Sequence, residues 1–248
     1  MKRLGIIDWG IGGISIYKLI KQKLGPIPIS YLSDTGVTPY GKMTRGEIAT
    51  RLDNVIDDLK GRGVTHVVIG CNAASTVIPF LADHGIPVEG VIESAVKTSL
   101  KAKPTRLGLI GGRRTVLSGV YRRSFAKHGV VLHQRVAQPL SGLIESGDIA
   151  SPTLQAEARR ILSPLRGCSH ILLACTHYPA ITPVLASFVP PTTKFIDPAA
   201  SLVTLVAKWR IECQGVDEIM TTGDAGLMKR SAQLAFGVEL VRPLKVRI

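Results

Sequence analysis

An internal repeat constrains the fold of this chain more than any other feature of its sequence. HVVIGCNAAS begins at His66, and HILLACTHYP begins at His170, 104 positions later. The segments GVIESA and KFIDPA are separated by the same offset, and LGII at Leu4 precedes LGLI at Leu107 by 103 positions. Three short units therefore recur in the same order at nearly one spacing. This pattern predicts two similar halves related by a pseudo-twofold axis.

Short apolar runs alternate with longer amphipathic segments along both halves. Residues 44–61 place apolar side chains at helical spacing, with Gly61 as a candidate C-cap. Residues 115–128 and 153–165 are also predicted to be helical, and residues 87–92 are predicted to form a strand. Alternation of this kind is typical of α/β proteins with parallel sheets.

We therefore predict an α/β fold with two pseudosymmetric domains, each a mainly parallel sheet flanked by helices, with the active site in the cleft between them. The polar segment 95–105 separates the two repeated halves, and the C-terminal residues have no counterpart in the second half. The first domain is predicted to comprise residues 1–97 and 208–248. The second is predicted to comprise residues 98–207.

The composition limits the classes of partner. The chain carries 31 Lys and Arg against 18 Asp and Glu, for a net charge of +13, yet the basic residues are scattered and only 5% of residues are aromatic. Few aromatic side chains are thus available to stack on nucleic-acid bases, so a nucleic-acid partner is not favoured. Apolar runs fall far short of the ~20 residues that span a bilayer, and the N-terminus lacks a signal-peptide core. These features predict a cytoplasmic protein without a membrane anchor.

Two of the four cysteines occupy equivalent places in the repeat. Cys71 and Cys175 each follow a predicted buried strand, where ligands bind in open parallel sheets. If the two halves face each other, the sulfurs approach one pocket from opposite sides. Cys168 and Cys213 lack this symmetry and are interpreted as small buried apolar side chains. No Cys-x-x-Cys pair is present, which argues against a zinc or redox motif.

Opposed thiols suit the inversion of a stereocentre by proton transfer. Such a reaction needs a base on one face of the carbon and an acid on the other, and a thiolate and a thiol can exchange these roles. His177, two residues after Cys175, is placed to tune that sulfur. Asp8, at the end of the first predicted strand, is placed to orient or relay a proton near Cys71.

The motifs around these residues resemble those of the glutamate racemases in the aspartate/glutamate racemase superfamily. The likeness runs in order through DWGIGG, SDTGVTPYG, CNAAS, GVIESA, LIGGRRTVLSGVY, LIESG, ACTHYP, FIDPAAS and TTGD, which together span essentially the whole chain. It implies a cofactor-independent enzyme with two pseudosymmetric α/β domains and a small amino acid as its partner. A homodimer is compatible with the resemblance, and the product would enter the cell wall or a secondary metabolite.

The resemblance also implies roles for individual residues. Cys71 and Cys175 would be the acid and base, and the auxiliary groups would be Asp8, Glu145 and His177. The substrate-binding residues would be Trp9, Pro39, Tyr40, Gly41, Asn72, Ala73, Thr115 and Thr176. No metal ligand is implied.

Three positions depart from the pattern of these racemases. Trp9 and Ala73 stand where they usually have Ser and Thr, and Gly112 stands where they usually have Thr. Each change removes a hydroxyl, and a hydrogen bond to a charged carboxylate is worth ~1.5–3 kcal/mol. Loss of several hydroxyls would weaken glutamate binding unless other groups replace them. Because both cysteines are retained, altered substrate choice is favoured over lost catalysis, with glutamate as the first candidate substrate and aspartate as the second. A catalytically impaired binding protein is the alternative from another class.

Other enzyme classes fit the sequence less well. A dinucleotide-binding loop fails because Ser15 stands where the third glycine of G-x-G-x-x-G would be. A pyridoxal phosphate enzyme needs a Schiff-base lysine, and none is found at a strand end beside a glycine-rich loop. A metal site at Cys175 and His177 is disfavoured because their spacing directs them to different faces if the strand continues.

Overall fold

The structure is a computed structural model, and it describes residues 2–212 and 215–248, so that Cys213 lies outside the described residues. The described residues contain ten strands that form two fully parallel sheets. The strands are β1 (Leu4–Asp8), β2 (Ile29–Ser33), β3 (His66–Ile69), β4 (Val88–Gly90), β5 (Leu107–Gly111), β6 (Leu132–Val136), β7 (His170–Ala174), β8 (Lys194–Ile196), β9 (Glu218–Thr221) and β10 (Leu244–Lys245).

Helices connect the strands and cover the sheets. They are α1 (Ile14–Leu24), α2 (Arg45–Gly61), α3 (Asn72–Ser75), α4 (Val91–Lys101), α5 (Arg113–Leu117), α6 (Val120–Ala126), α7 (Gln138–Glu145), α8 (Pro152–Leu162), α9 (Thr182–Ala186), α10 (Ala199–Lys208) and α11 (Ala225–Phe236). None of the described helices combines the length and the apolar character needed to cross a bilayer. Strands alternating with helices confirm the predicted α/β class.

The strand order of the two sheets repeats. The first sheet runs β10-β9-β2-β1-β3-β4, and the second runs β6-β5-β7-β8, so that β2-β1-β3-β4 and β6-β5-β7-β8 have the same arrangement. The register repeats as well: Leu4 pairs with His66 in the first sheet, and Leu107 pairs with His170 in the second. The sequence repeat is therefore a structural repeat.

The glycine in each LGxI motif makes room for a neighbouring side chain. A Cβ on Gly5 would lie 2.9 Å from Cγ1 of Val64, and a Cβ on Gly108 would lie 3.1 Å from Sγ of Cys168. Val64 and Cys168 are 104 positions apart and occupy equivalent places. Cys168 is buried in the core, which agrees with the expectation that it is an apolar side chain.

The third unit of the sequence repeat is out of register by three residues. Val67 pairs with Val88, whereas its equivalent Ile171 pairs with Phe195, so the offset between the fourth strands is 107. The predicted strand over 87–92 is too long. In the structure β4 ends at Gly90, and α4 begins at the next residue, Val91. The apparent match between GVIESA and KFIDPA is therefore wrong as a structural equivalence.

Local chemistry sets the ends of several helices. Thr44 caps α2 in a reciprocal capping box with Glu47, and α2 includes Gly61 rather than ending before it. The predicted helix over 115–128 is instead two helices, because Gly119 adopts φ +68° between α5 and α6. The predicted helix over 153–165 ends at Leu162, and a single 3-10 turn containing a proline follows it.

The first sheet is buried on both faces. Alternate residues of β1 enter different cores: Ile6 packs in a core that continues into the second half, and Ile7 packs against α2. After residue 208 the chain returns to this sheet, where β9 pairs with β2 and with β10. The division into residues 1–97 with 208–248 and residues 98–207 stays a prediction.

Candidate active site

A cavity of about 280 Å³ lies at the carboxyl ends of the strands from both sheets. Every residue predicted to serve catalysis or substrate binding lines it, except Glu145. The lining residues that were predicted are Asp8, Trp9, Pro39, Tyr40, Gly41, Cys71, Asn72, Ala73, Thr115, Cys175, Thr176 and His177. The two halves of the repeat thus contribute to a single site.

The two cysteines reach this cavity from equivalent places. Cys71 precedes α3 just after β3, and Cys175 directly follows Ala174 at the end of β7. Both are free thiols and both are partly exposed. Because parallel strands direct their carboxyl ends to one edge of a sheet, the fold itself delivers one sulfur from each half.

Cys175 is the first member of a chain of polar contacts. Its Sγ lies 3.6 Å from Nδ1 of His177, and Nε2 of His177 lies 2.6 Å from Oε2 of Glu145. The same carboxylate oxygen accepts a hydrogen bond of 2.9 Å from the backbone N–H of Ile11. Glu145 therefore lies behind His177, outside the cavity wall, and holds the imidazole toward the sulfur.

The expectation that Cys175 and His177 point to different faces is wrong. In a continuing strand, residues i and i+2 would share a face, so the expectation already misread the spacing. In the structure, β7 ends at Ala174 and His177 has helical backbone angles. The turn brings both side chains to the cavity. Even so, the described parts of the chain, 2–212 and 215–248, contain no group of three or more His, Cys, Asp or Glu side chains that could hold a metal ion.

The glycines of DWGIGG allow the close approach of side chains from the other half. A Cβ on Gly10 would lie 2.1 Å from Oε2 of Glu145, and a Cβ on Gly12 would lie 2.3 Å from Oγ1 of Thr176. Neither distance is compatible with a side chain larger than hydrogen. These glycines are therefore required by the contacts of Glu145 and Thr176.

Asp8 is buried at the end of β1 and lines the same cavity as the two cysteines. Its Oδ2 accepts a 2.7 Å hydrogen bond from Oγ1 of Thr176, and its Oδ1 accepts one of 2.7 Å from the backbone N–H of Trp9. Burial raises the pKa of Asp8, although the charge of His177 and these two hydrogen bonds act in the opposite direction. The carboxyl thus bridges the first strand of one half to the loop that carries Cys175.

The surroundings of the two sulfurs differ. Burial, followed by the negative charge of Asp8, raises the pKa of the Cys71 thiol well above its usual value. On the other side, burial alone would lower the pKa of His177, but the hydrogen bonds and negative charges of Cys175 and Glu145 outweigh it and raise that pKa well above its usual value. The two sulfurs therefore lie in different electrostatic surroundings, with a buried carboxyl near Cys71 and an imidazole beside Cys175.

A buried carboxylate fixes the wall formed by Pro39, Tyr40 and Gly41. The Tyr40 hydroxyl donates to Asp34 at 2.7 Å, and Arg51 donates to both oxygens of the same carboxylate, at 2.9 and 2.6 Å. Bidentate arginine–carboxylate pairs give geometric definition as well as energy. The SDTGVTPYG motif thereby holds Tyr40 at the cavity in one orientation.

Asn72 has an unsatisfied group beside the cavity. Its Oδ1 accepts a 2.6 Å hydrogen bond from the hydroxyl of Tyr121, which belongs to the other half. Its Nδ2 is buried and has no hydrogen-bond partner within the described residues. An unmet buried donor costs ~1–3 kcal/mol, so this amide is suited to a ligand that accepts a hydrogen bond.

Comparison with known proteins assigns this site to a family. The sequence pattern of the Asp/Glu/Hydantoin racemase family matches residues 4–206. The chain belongs to this family. Membership of this family confirms the prediction of an isomerase that racemises an amino acid.

Individual members of the Asp/Glu/Hydantoin racemase family are similar over most of the chain. The glutamate racemase of Synechococcus sp. (strain CC9605) is 34% identical over 202 residues, which cover 79% of this chain and 75% of the relative. The glutamate racemase of Bacillus cereus (strain ATCC 10987 / NRS 248) is 30% identical over 251 residues, which cover 95% and 93%. The crystal structure of Francisella tularensis glutamate racemase in complex with D-glutamate superimposes with a TM-score of 0.89 at 22% identity, covering 100% of this chain and 97% of that one.

Several residues of this racemase-family cavity were not predicted. Besides Gly112, which was noted only as a departure, they are Lys42, Gln138, Pro139, Ser141, Gly142 and Ala174. Gln138 is the most informative of them. A Cβ on Gly112 would lie 3.1 Å from Oε1 of Gln138, and a Cβ on Gly41 would lie 3.2 Å from the same atom. The Gln138 carboxamide therefore occupies the space left by the missing side chain at position 112.

The state of His177 predicts how the stability of this racemase-family protein depends on pH. Since its pKa is raised in the folded protein, the imidazolium stabilises the fold below the ordinary histidine pKa of 6.5, and this stabilisation is lost as the pH rises through the raised value. We expect the free energy of unfolding to decline over that range. Urea unfolding measured across pH, with His177→Gln as the comparison, checks this. An equal decline in the variant would contradict it.

Proposed function

We propose that this protein interconverts L- and D-glutamate by proton transfer between Cys71 and Cys175. The observation that carries the proposal is that these two thiols, from equivalent places in the repeat, line one cavity. The names of the relatives at 30% and 34% identity support glutamate as the substrate. The cavity volume of about 280 Å³ is suited to a small amino acid.

In the proposed reaction, a thiolate on one face removes the hydrogen of the substrate Cα as a proton. The electron pair of the broken C–H bond delocalises into the adjoining carboxylate. The thiol on the other face then gives its proton to Cα, which forms the new C–H bond with inverted configuration. The reaction leaves the protonation of the two sulfurs exchanged, and the reverse reaction restores it.

The surroundings of each sulfur support these roles. An imidazolium beside a cysteine stabilises a thiolate in general, and His177 lies 3.6 Å from Cys175. Cys71 retains its proton because burial and Asp8 raise its pKa. These surroundings support Cys71 as the proton donor and Cys175, beside His177, as the proton acceptor that the two-base reaction requires.

The unsatisfied amide of Asn72 supports binding of the substrate through a carboxylate. Its Nδ2 is buried at the cavity, next in sequence to Cys71. A donor aimed at a carboxylate that gains negative charge in the transition state lowers the barrier more than it strengthens ground-state binding. Asn72 therefore serves the reaction beyond simple recognition.

The experiment that tests the function is a panel of L- and D-amino acids incubated with the protein in heavy water. Deuterium uptake at Cα and inversion are followed by NMR and by chiral chromatography. We expect inversion of glutamate with incorporation of one deuterium per event. Preferential turnover of aspartate would redirect the substrate assignment, and no exchange with any acidic amino acid would overturn the proposal.

Gln138 is expected to replace one of the missing hydroxyls in substrate binding. Its Oε1 accepts from the backbone N–H of Arg113 at 3.0 Å, and its Nε2 donates to Ser141 at 3.1 Å, which leaves one amide N–H for the cavity. We expect Gln138→Leu to raise KM for glutamate by roughly three- to tenfold, the effect of one or two hydrogen bonds. Gln22→Leu, on an exposed face of α1, is the control. An unchanged KM in Gln138→Leu would exclude this role.

Trp9 is expected to restrict the choice of substrate. Its ring lines the cavity and its Nε1 donates to the backbone carbonyl of Val37 at 3.1 Å, which fixes the ring where a serine usually stands. We expect Trp9→Ser to raise kcat/KM for glutamate relative to smaller amino acids by about tenfold, since a hydroxyl and added space are gained together. Trp9→Phe keeps the bulk and is the control. An unchanged preference would remove Trp9 from the specificity.

A further inference from the structure

A second cavity, of about 530 Å³, lies next to the first and shares Gly41 with it. Four arginines line this space, which we call the arginine cavity: Arg45, Arg113, Arg114 and Arg123. The other lining residues are two hydroxyl-bearing side chains, two large apolar side chains and the shared glycine, namely Thr76, Ser118, Phe80, Leu117 and Gly41.

The positive charge of the arginine cavity is not balanced by the protein. Among the residues that the structure describes, none of its four arginines forms an ion pair with a carboxylate, whereas Arg51, Arg62 and Arg160 elsewhere in the chain each do. Bringing like charges together costs free energy, which water and salt reduce at the exposed Arg45, Arg113 and Arg123 and which a bound anion reduces further.

Neutral groups hold three of the four guanidinium groups in place. Arg114 donates to the backbone carbonyl of Met43 at 2.9 Å and to Oγ1 of Thr76 at 3.3 Å, and Arg123 donates to the carbonyl of Ser118 at 2.9 Å. The guanidinium of Arg45 lies 4.6 Å from the ring centroid of Phe80. These contacts orient the cations without neutralising them, as a preformed anion site requires.

The environment of Arg114 also favours the binding of an anion. Burial, and then the neighbouring charge of Arg45, lower the pKa of Arg114. A guanidinium that is partly desolvated beside a second cation gains more from an anion than one in bulk water does.

The size and the lining of this cavity indicate the kind of anion. Its volume is nearly twice the 280 Å³ of the first cavity, and four cations exceed what one amino acid carboxylate can neutralise. Phosphate oxygens match the fork of the guanidinium, and Arg is a common residue for their recognition. The side chains of Phe80 and Leu117 are 53% and 64% exposed and offer apolar surface beside the charges.

We propose that the arginine cavity binds a small molecule that carries a diphosphate or two phosphate groups, with an apolar portion against Phe80 and Leu117. This site is separate from the proposed racemisation, because its ligand contacts neither cysteine. Its test is a binding measurement that requires no turnover.

The experiment is isothermal titration calorimetry of the full chain with inorganic pyrophosphate at constant ionic strength. We expect saturable binding to one site. The double variant Arg45→Gln with Arg114→Gln should weaken the affinity by about tenfold or more, since it removes two charge-assisted contacts. The control, Arg166→Gln with Arg242→Gln, removes the same charge from exposed arginines outside the cavity and should change the affinity less than twofold, roughly the scale of a screened surface charge.

Three outcomes would overturn the proposal. Equal weakening in both double variants would show that the whole basic surface attracts pyrophosphate. Absence of saturable binding would show that the cluster is not a site. Competition between L-glutamate and pyrophosphate would show that the arginine cavity is the entrance to the first cavity and not a separate site. If the double variant does not fold by circular dichroism, the exposed single variant Arg113→Gln replaces it, with the same expected direction.

Discussion

Replacing either Cys71 or Cys175 with serine is expected to lower the kcat of glutamate racemisation by about 10²- to 10⁴-fold, the usual contribution of a positioned acid or base. A serine hydroxyl keeps nearly the same shape but does not ionise in the accessible pH range. The measurement is the initial rate in each direction by circular dichroism or chiral chromatography.

The two variants should also differ from each other in heavy water. Each retains the base that serves one face of the substrate. In each variant, any residual exchange of the Cα hydrogen with solvent is therefore expected from one enantiomer only. The enantiomer that exchanges in Cys71→Ser should be the opposite of the one that exchanges in Cys175→Ser. Residual exchange from both enantiomers in one variant would contradict the assignment of one sulfur to each face.

Cys168→Ser is the matched control for these variants. Cys168 is buried in the second half, where it packs over Gly108, away from the cavity. Because Arg106 interacts with the side chain at position 168, a hydroxyl there keeps a polar partner and is expected to change the free energy of unfolding by only about 1 kcal/mol. Turnover per folded molecule should not change. Near-native turnover in Cys71→Ser or Cys175→Ser would overturn the proposed mechanism.

Gly10→Ala is expected to lower kcat/KM by about 10²-fold, although residue 10 bears no functional group. Its new Cβ would lie 2.1 Å from Oε2 of Glu145, so the carboxylate must move away from His177 and from the N–H of Ile11. Misplacement of a catalytic group by about 1 Å can cost a factor of this size. The effect is measured as a full kinetic profile against pH.

Two comparisons separate this effect from general damage. Gly46→Ala, within α2 and with nothing within 4 Å of the new Cβ, should leave activity unchanged and raise the free energy of unfolding by about 0.4–1 kcal/mol. Glu145→Gln keeps the shape of the side chain and removes its charge, so it should shift the pH profile in the same direction as Gly10→Ala. If Gly10→Ala retained the native profile, the contact between Glu145 and His177 would not matter to the reaction.

The repeat allowed much of the fold and site to be predicted. The alternation of short apolar strands with helices fixes a parallel sheet, and the carboxyl ends of such strands must meet at one edge. For this reason Cys71 and Cys175, each just after a strand, could be placed at one cavity without coordinates. The register of the fourth strands could not be predicted, because the match depended on two apolar residues that begin a helix in one half and belong to a strand in the other.

Contacts between distant residues were beyond sequence reasoning. Gln138 lies at the start of α7, and nothing in its local pattern shows that its amide fills the space beside Gly112 and Gly41. The error at Cys175 and His177 was of another kind, because residues two apart in a strand point to the same face, and the spacing already allowed both side chains to meet at one cavity. The spacing does not show where β7 ends, and the turn after Ala174 is what brings them there in the structure.

The unequal surroundings of the two sulfurs have a consequence for steady-state kinetics. Enantiomers have equal free energies in water, so the Haldane relation requires the same kcat/KM for L- and D-glutamate at every pH. Under the proposed mechanism, the imidazolium beside Cys175 and the buried carboxyl beside Cys71 can therefore never favour one product at equilibrium. They can only give the L-to-D and D-to-L reactions different values of kcat. Any such difference must be matched by an equal factor in KM.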